Sequence, residues 1–243
     1  QLFGVLSGID TEIWNPATDS ALTQTFDTDA LHMREVNKTA LQRELRLAVD
    51  RDMPLLSMVT RLDPVKGIDL VIPALDALMR SESCQFVLLG TGSEEYAQRL
   101  QAFQQRYPHH IRFVNRFDER LARRIYGAAD FFLVPSREES VSTSVMIAMR
   151  YGAVPVVRST GGLCDIVLDT VRQPERGTGF SFRLFTPEAL TDILGEALDY
   201  RRTGRWVPLQ TRVMKRDFSW TMAAQAYFDL YRRAKQVHQE KEF

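Results

Sequence analysis

Residues 130–165 read DFFLVPSREESVSTSVMIAMRYGAVPVVRSTGGLCD, and the fold follows from how this stretch is parsed. Residues 131–134 are a short apolar run stopped by Pro135, the pattern of a buried strand that ends in a loop. Ser142 or Thr143 stands at a helix N-cap position, Val145, Met146 and Met149 mark a buried helical face, and Gly152 offers the left-handed stop. A second buried strand covers 154–157, and Ser159-Thr160-Gly161-Gly162 opens another helix near Leu163. Parallel strands joined by a right-handed crossover bring their carboxyl ends together, so two loops and two helix N-termini meet at one sheet edge. Such an edge receives anions. Glu138 and Glu139 in the first loop offer carboxylates to hydroxyls, and the glycine pair in the second exposes backbone amides. A sugar joined to a phosphate asks for that combination.

Working outward, the preceding chain repeats the same unit. Leu41, Leu45 and Val49 recur at four-residue intervals and predict an amphipathic helix over 37–49, an outer helix on which Lys38→Ala is expected to change nucleotide binding little. A buried strand is expected over 55–60, followed by the loop Arg61-Leu-Asp-Pro-Val-Lys66-Gly67, whose two cations can converge on one anion. Pro73 is expected only near the first turn of the next helix. The strand predicted over 85–89 runs into Gly90-Thr91-Gly92-Ser93-Glu94-Glu95. This fails as a dinucleotide fingerprint, because Glu95 replaces the third glycine, and it reads instead as a tight turn open to a small ligand. A helix over 96–106, a strand over 111–114 and a helix over 119–126 follow, with Phe117 between the last two, where an aromatic ring can stack a base or simply pack.

The flanks differ in character. Residues 1–36 form an entering segment with turn signals and one short strand, 37–216 the α/β domain, and 217–243 a closing helix carrying Ala224, Tyr227, Phe228 and Tyr231 on one side. Residues 180–182 add an edge strand, and Thr186-Pro187-Glu188 starts a further helix. The 243 residues carry 31 basic and 31 acidic side chains, so no net field draws the chain to nucleic acid or an acidic membrane. Cys84 and Cys164 make no disulfide framework and fit a reducing compartment. No apolar run approaches the ~18 residues of a membrane span. Gln1 begins neither a signal peptide nor a natural start, so the chain reads as an excised piece. No metal-ligand spacing occurs, and the four histidines are scattered.

In order along the chain, GIDTEIWNP, the KTALQ helix, VTRLDPVKGIDL, VLLGTGSEEY, GAADFFLVPSREES, AMRYGAVPVVRSTGGLCDIV, GTGFSF and the closing FSW helix resemble the C-terminal half of bacterial glycogen synthases and plant starch synthases. That family is made of retaining glycosyltransferases of the two-domain GT-B type, so the resemblance implies a Rossmann-like, mainly parallel doubly wound sheet. It implies that Arg61 and Lys66 bind the distal phosphates of a nucleotide sugar without metal or cofactor, and that Glu139 contacts the glucose. Gly90, Thr91, Gly92, Ser144, Thr160, Gly161, Gly162 and Leu163 are implied at the donor, with Phe117 against the base. The implied partners are ADP-glucose or UDP-glucose, an α-glucan acceptor and an N-terminal domain outside this chain, in a bacterial cytoplasm or a plastid stroma.

The resemblance lapses in one loop. Where the family continues Glu-Pro-Cys-Gly-Leu, this chain has Glu139-Ser140-Val141-Ser142-Thr143. The altered loop leaves open a non-catalytic paralogue that keeps the fold, and a GT-B enzyme using another nucleotide sugar is a further alternative. If Ser142 crowds the sugar, Ser142→Gly raises donor affinity or turnover. The parsing also requires Arg61, Gly90, Phe117, Glu139 and Gly161 to gather at the carboxyl edge of one sheet, since each follows a strand.

Overall fold

In a computed structural model, residues 3–81 and 84–239 are described. The ends of the entering segment and of the closing helix, residues 1–2 and 240–243, lie outside the described residues. Six strands, β1 (Leu55–Val59), β2 (Gln85–Leu89), β3 (Ile111–Val114), β4 (Phe131–Val134), β5 (Val154–Arg158) and β6 (Phe180–Phe182), form one sheet. Its order is β3-β2-β1-β4-β5-β6, and every neighbouring pair is parallel. The strands read as continuous apolar runs because both faces are covered; β2 and β4 are buried at every position.

The helices are α1 (Arg34–Glu44), α2 (Ile68–Leu78), α3 (Glu94–Arg106), α4 (Glu119–Ala128), α5 (Thr143–Arg150), α6 (Leu163–Ile166), α7 (Pro187–Arg201), α8 (Trp206–Met214) and α9 (Trp220–Gln239). On one face α2 packs on α3 and α7; on the other α4 packs on α1 and α5. The winding therefore reverses between β1 and β4, and the crevice outside the carboxyl ends of those two strands is where a doubly wound sheet binds ligands. Among the described residues no helix is long and apolar enough to cross a membrane.

Three expectations are corrected. Helix α1 begins at Arg34 and stops at Glu44, because Arg46 takes a positive φ of 57° and turns the chain; Leu47 continues the burial outside the helix, while Val49 is exposed. The entering segment makes no strand among the described residues, only an isolated bridge between Ile9 and Ser219. Pro73 lies inside α2, beyond its first turn. That helix tolerates the lost N–H because Ile68, Leu70, Val71, Ala74, Leu75 and Leu78 are all buried around it.

Lys38, on the helix read as an outer one, is buried: its Nζ donates to Asp130 Oδ2 at 2.6 Å and to the carbonyls of Arg51 and Met53 at 3.1 and 3.2 Å. Asp130 immediately precedes β4 and also accepts from the Leu55 amide at 2.8 Å, so this pair ties α1 to the amino ends of β1 and β4. Burial pushes the Asp130 carboxyl up, but Lys38 and then Arg201 outweigh it and hold the group below the usual carboxylate range.

A candidate anion and sugar site at the switch point

The two loops that flank the reversal meet. After β1, Asp63 caps a single 3-10 turn, Pro64–Lys66, through its side chain, and Gly67 leads into α2. After β4, the loop through Glu139 folds against that turn, with the Arg137 amide donating to Val65 O at 2.7 Å. Lys66 Nζ donates to Glu139 Oε2 at 2.8 Å, and Ser136 Oγ donates to the same oxygen at 3.1 Å. Both side chains of the pair are mostly enclosed, Lys66 20% and Glu139 10% exposed. Glu138 points to solvent. A cation and a carboxylate are thus held together across the switch point, largely out of water.

Arg61 behaves differently from Lys66. Its side chain is 79% exposed and lies 3.2 Å from Asp63, so the two cations share the loop without converging. Beside them opens a cleft of about 370 Å³ lined by Trp14, Arg61, Gly90, Thr91, Phe117, Tyr126, Ser144 and Ile147, among others. Phe117 stands at its mouth, 89% exposed. Val59, Thr60 and Ser144 line both this cleft and the small hollow that holds Lys66 and Glu139, so the two spaces share a wall. A flat aromatic ligand in the cleft would have its polar extension led to Lys66.

Two glycines explain how the loops pack so closely. A Cβ on Gly90 would sit 1.8 Å from Thr60 O, and one on Gly161, where φ is +48°, would sit 1.9 Å from Glu139 O. In each case the backbone that approaches is a neighbouring loop rather than open space. The Arg61 loop and the Gly90-Thr91-Gly92 turn are also laced by Leu62 N to Thr91 O and Ser93 N to Leu62 O, both 2.8 Å. The expectation of bare amides at the glycine pair is therefore half met: Gly161 is exposed, while the Gly162 amide donates to Glu139 O at 3.2 Å. Leu163 is fully buried and its amide donates to Thr160 O, so it packs rather than points outward. Helix α6 has four residues, too few for a substantial dipole.

The comparisons with known proteins agree with this fold. Residues 43–206 match the family profile described as "Glycosyl transferases group 1". The chain belongs to the group 1 glycosyl transferases. It is 44% identical over 239 residues to the glycogen synthase of Syntrophotalea carbinolica, covering 98% of this chain and 49% of that protein. It is 46% identical over 234 residues to glycogen synthase 2 of Geobacter sulfurreducens, covering 96% and 48%. Among solved structures, the catalytic domain of starch synthase IV from Arabidopsis thaliana, bound to ADP and acarbose, superposes with a TM-score of 0.86 at 36% identity, over 93% of this chain and 48% of that one. The chain spans about half the length of the curated relatives it matches. Its all-parallel sheet is the Rossmann-like fold of GT-B glycosyltransferases.

Within this group 1 glycosyl transferase, some site-building residues carried no sequence signal. Trp14 forms a cleft wall because Arg123 stacks 4.0 Å from its ring centroid and Arg150 Nε donates to its carbonyl at 2.6 Å. Arg123 and Arg150 lie more than a hundred positions away, so no local pattern announces them. Ser142, where the resemblance lapses, sits at the α5 N-cap with φ −111° and ψ 89°, which any residue adopts, and its Oγ meets Ser144 Oγ at 3.1 Å. The backbone there does not call for glycine.

Proposed function

We propose that this chain is the donor-binding half of a hexosyltransferase of the glycogen and starch synthase type. It binds a nucleoside diphosphate glucose, ADP-glucose in our reading, and supports transfer of the glucosyl unit to the non-reducing end of an α-1,4-glucan with retention. The observation that carries this reading is the enclosed Lys66–Glu139 contact across the switch point, with the Phe117 cleft sharing its wall. A base fits the cleft, a diphosphate reaches Lys66, and a glucose hydroxyl meets Glu139. The ADP held by the starch synthase IV structure favours adenosine in that cleft.

In this reading Lys66 turns from Glu139 to the distal phosphate as the donor binds, and stabilises the charge that builds on the departing diphosphate. The bond from the anomeric carbon to the phosphate oxygen breaks as an acceptor hydroxyl adds on the same face, and its proton passes to the released diphosphate. Arg61, exposed in the open site, supplements Lys66 only when a second domain covers the cleft. The exposed Trp220, Tyr227, Phe228 and Tyr231 of α9 give that domain an apolar face to rest on. This chain alone is therefore expected to bind nucleotide and to transfer no glucose, because nothing among the described residues closes over the cleft to exclude water from the donor.

Calorimetry with ADP and UDP tests the site. Lys66→Ala is expected to cost about 1.5 to 3 kcal/mol of ADP binding, as for a hydrogen bond to a charged group. Arg61→Ala is expected to lose less, its side chain being mostly solvated and already paired with Asp63. Phe117→Ala is expected to weaken ADP about threefold to tenfold through lost stacking. Equal affinities for these three variants and the wild type would put the anion elsewhere, and glucan elongation by this chain alone would overturn the division of labour.

A further inference from the structure

We infer that Arg158 is a positioning residue for Glu139, acting through the backbone of the acidic loop; this rests on the role given to Glu139 above. Arg158 is the last residue of β5, and its guanidinium spans two chain segments. Nε donates to Ser136 O at 3.0 Å, one terminal nitrogen to Arg137 O, and the other to Arg183 O at 3.1 Å beyond β6. Phe185 closes over this cluster, its ring centroid 3.9 Å from Arg137 and 5.6 Å from Arg158. The consequence reaches Glu139 in one step. Ser136, whose carbonyl Arg158 holds, is the residue whose hydroxyl donates to Glu139 Oε2.

Two backbone hydrogen bonds also hold this loop. The Arg137 amide is held by Val65 O and the Glu139 carbonyl by the Gly162 amide, so the loop is tied to its neighbours at both ends. Arg158 adds a grip on two consecutive carbonyls, Ser136 O and Arg137 O, and a rigid planar fork is what meets three acceptors at once. Lysine, a single ammonium on a flexible stem, cannot reproduce that geometry although it keeps the charge. Loss of the fork lets Ser136 shift and Glu139 swing, while Lys66, Arg61 and the Phe117 cleft stay where they are. Arg158 touches neither the nucleotide nor the sugar in this arrangement. It governs the angle at which the carboxylate meets the glucose.

The test compares Arg158→Lys and Arg158→Ala with wild type in the full-length protein, reading kcat and KM for ADP-glucose, calorimetric affinity for ADP, and Tm. Arg158→Lys is expected to lower kcat about 10- to 100-fold, the effect of a small misplacement of a reacting contact, with ADP affinity unchanged or raised and Tm little changed. Added guanidinium is expected to restore part of the activity of Arg158→Ala and none of that of Glu139→Ala. An Arg158→Lys enzyme with wild-type kcat would overturn the inference. So would a loss of kcat that tracks a fall in both Tm and ADP affinity with no guanidinium rescue, since that is what a purely structural arginine gives. A wild-type protein that neither binds ADP nor transfers glucose would instead bring down the functional reading, and this inference with it.

Discussion

Lys38→Ala is expected to destabilise the folded chain by about 3 kcal/mol, the lower end for breaking a buried ion pair by removing one partner. The substitution leaves Asp130 buried with Arg201 at 3.3 Å and the Leu55 amide, so its charge is not wholly abandoned. It also releases the carbonyls of Arg51 and Met53 from the ammonium they share. For a chain of this size the melting temperature falls by about 6 to 12 °C. The pH dependence gives the sign. A carboxyl whose pKa is held low in the folded state contributes stability that is present above its unfolded pKa and is lost as pH falls through the folded value. The gap between wild type and variant is therefore full above about pH 5 and narrows below about pH 4. Thermal melts across that range check it. A variant that melts with wild type at pH 7 would mean that Lys38 is not the partner that keeps Asp130 charged.

Glu139→Gln is expected to move binding and chemistry in opposite directions. Glu139 pairs with Lys66 at 2.8 Å, and in the proposed reading a diphosphate competes with it there. Glutamine keeps the shape and removes the charge, so ADP affinity rises by about tenfold, equivalent to about 1.4 kcal/mol. Transfer in the full-length protein falls by at least about 100-fold, the scale on which a preorganised group facing the reacting sugar contributes. Calorimetry with ADP and a glucan-elongation assay read the two effects separately. If ADP binds more weakly to Glu139→Gln, the carboxylate does not compete for Lys66, and the switch of Lys66 from Glu139 to phosphate is wrong.

Much of the scaffold was readable because parallel strands covered on both faces leave short unbroken apolar runs; the predicted limits of β2, β3, β4 and β6 coincide with those observed. The carboxyl-edge gathering of Arg61, Gly90, Phe117, Glu139 and Gly161 followed from strand direction alone. The burial of Lys38 was not legible for a definite reason. The spacing of Leu41 and Leu45 identifies one apolar face of α1, but it carries no information on whether the rest of the helix meets another buried charge, and Asp130 is 92 positions away. Period also overran the helix end, because Leu47 remains buried after Arg46 has turned the chain. Arg158 escaped notice because its partners are set by the sheet order, which places β5 beside β4 and β6, and Trp14 because its partners Arg123 and Arg150 come from α4 and α5, more than a hundred positions away.

The close seams at Gly90 and Gly161 bear on how this site can be changed. At each, a neighbouring carbonyl stands less than 2 Å from where a side chain would begin, so any substitution pries two loops apart before it meets a ligand. Variation at Phe117, Ser140 and Thr143, all exposed on the same edge, carries no such penalty. A library aimed at a new nucleotide sugar therefore has its useful diversity at those tips. The seams act as the fixed frame against which the tips can be varied, and a screen that randomises both together will mostly recover misfolded chains.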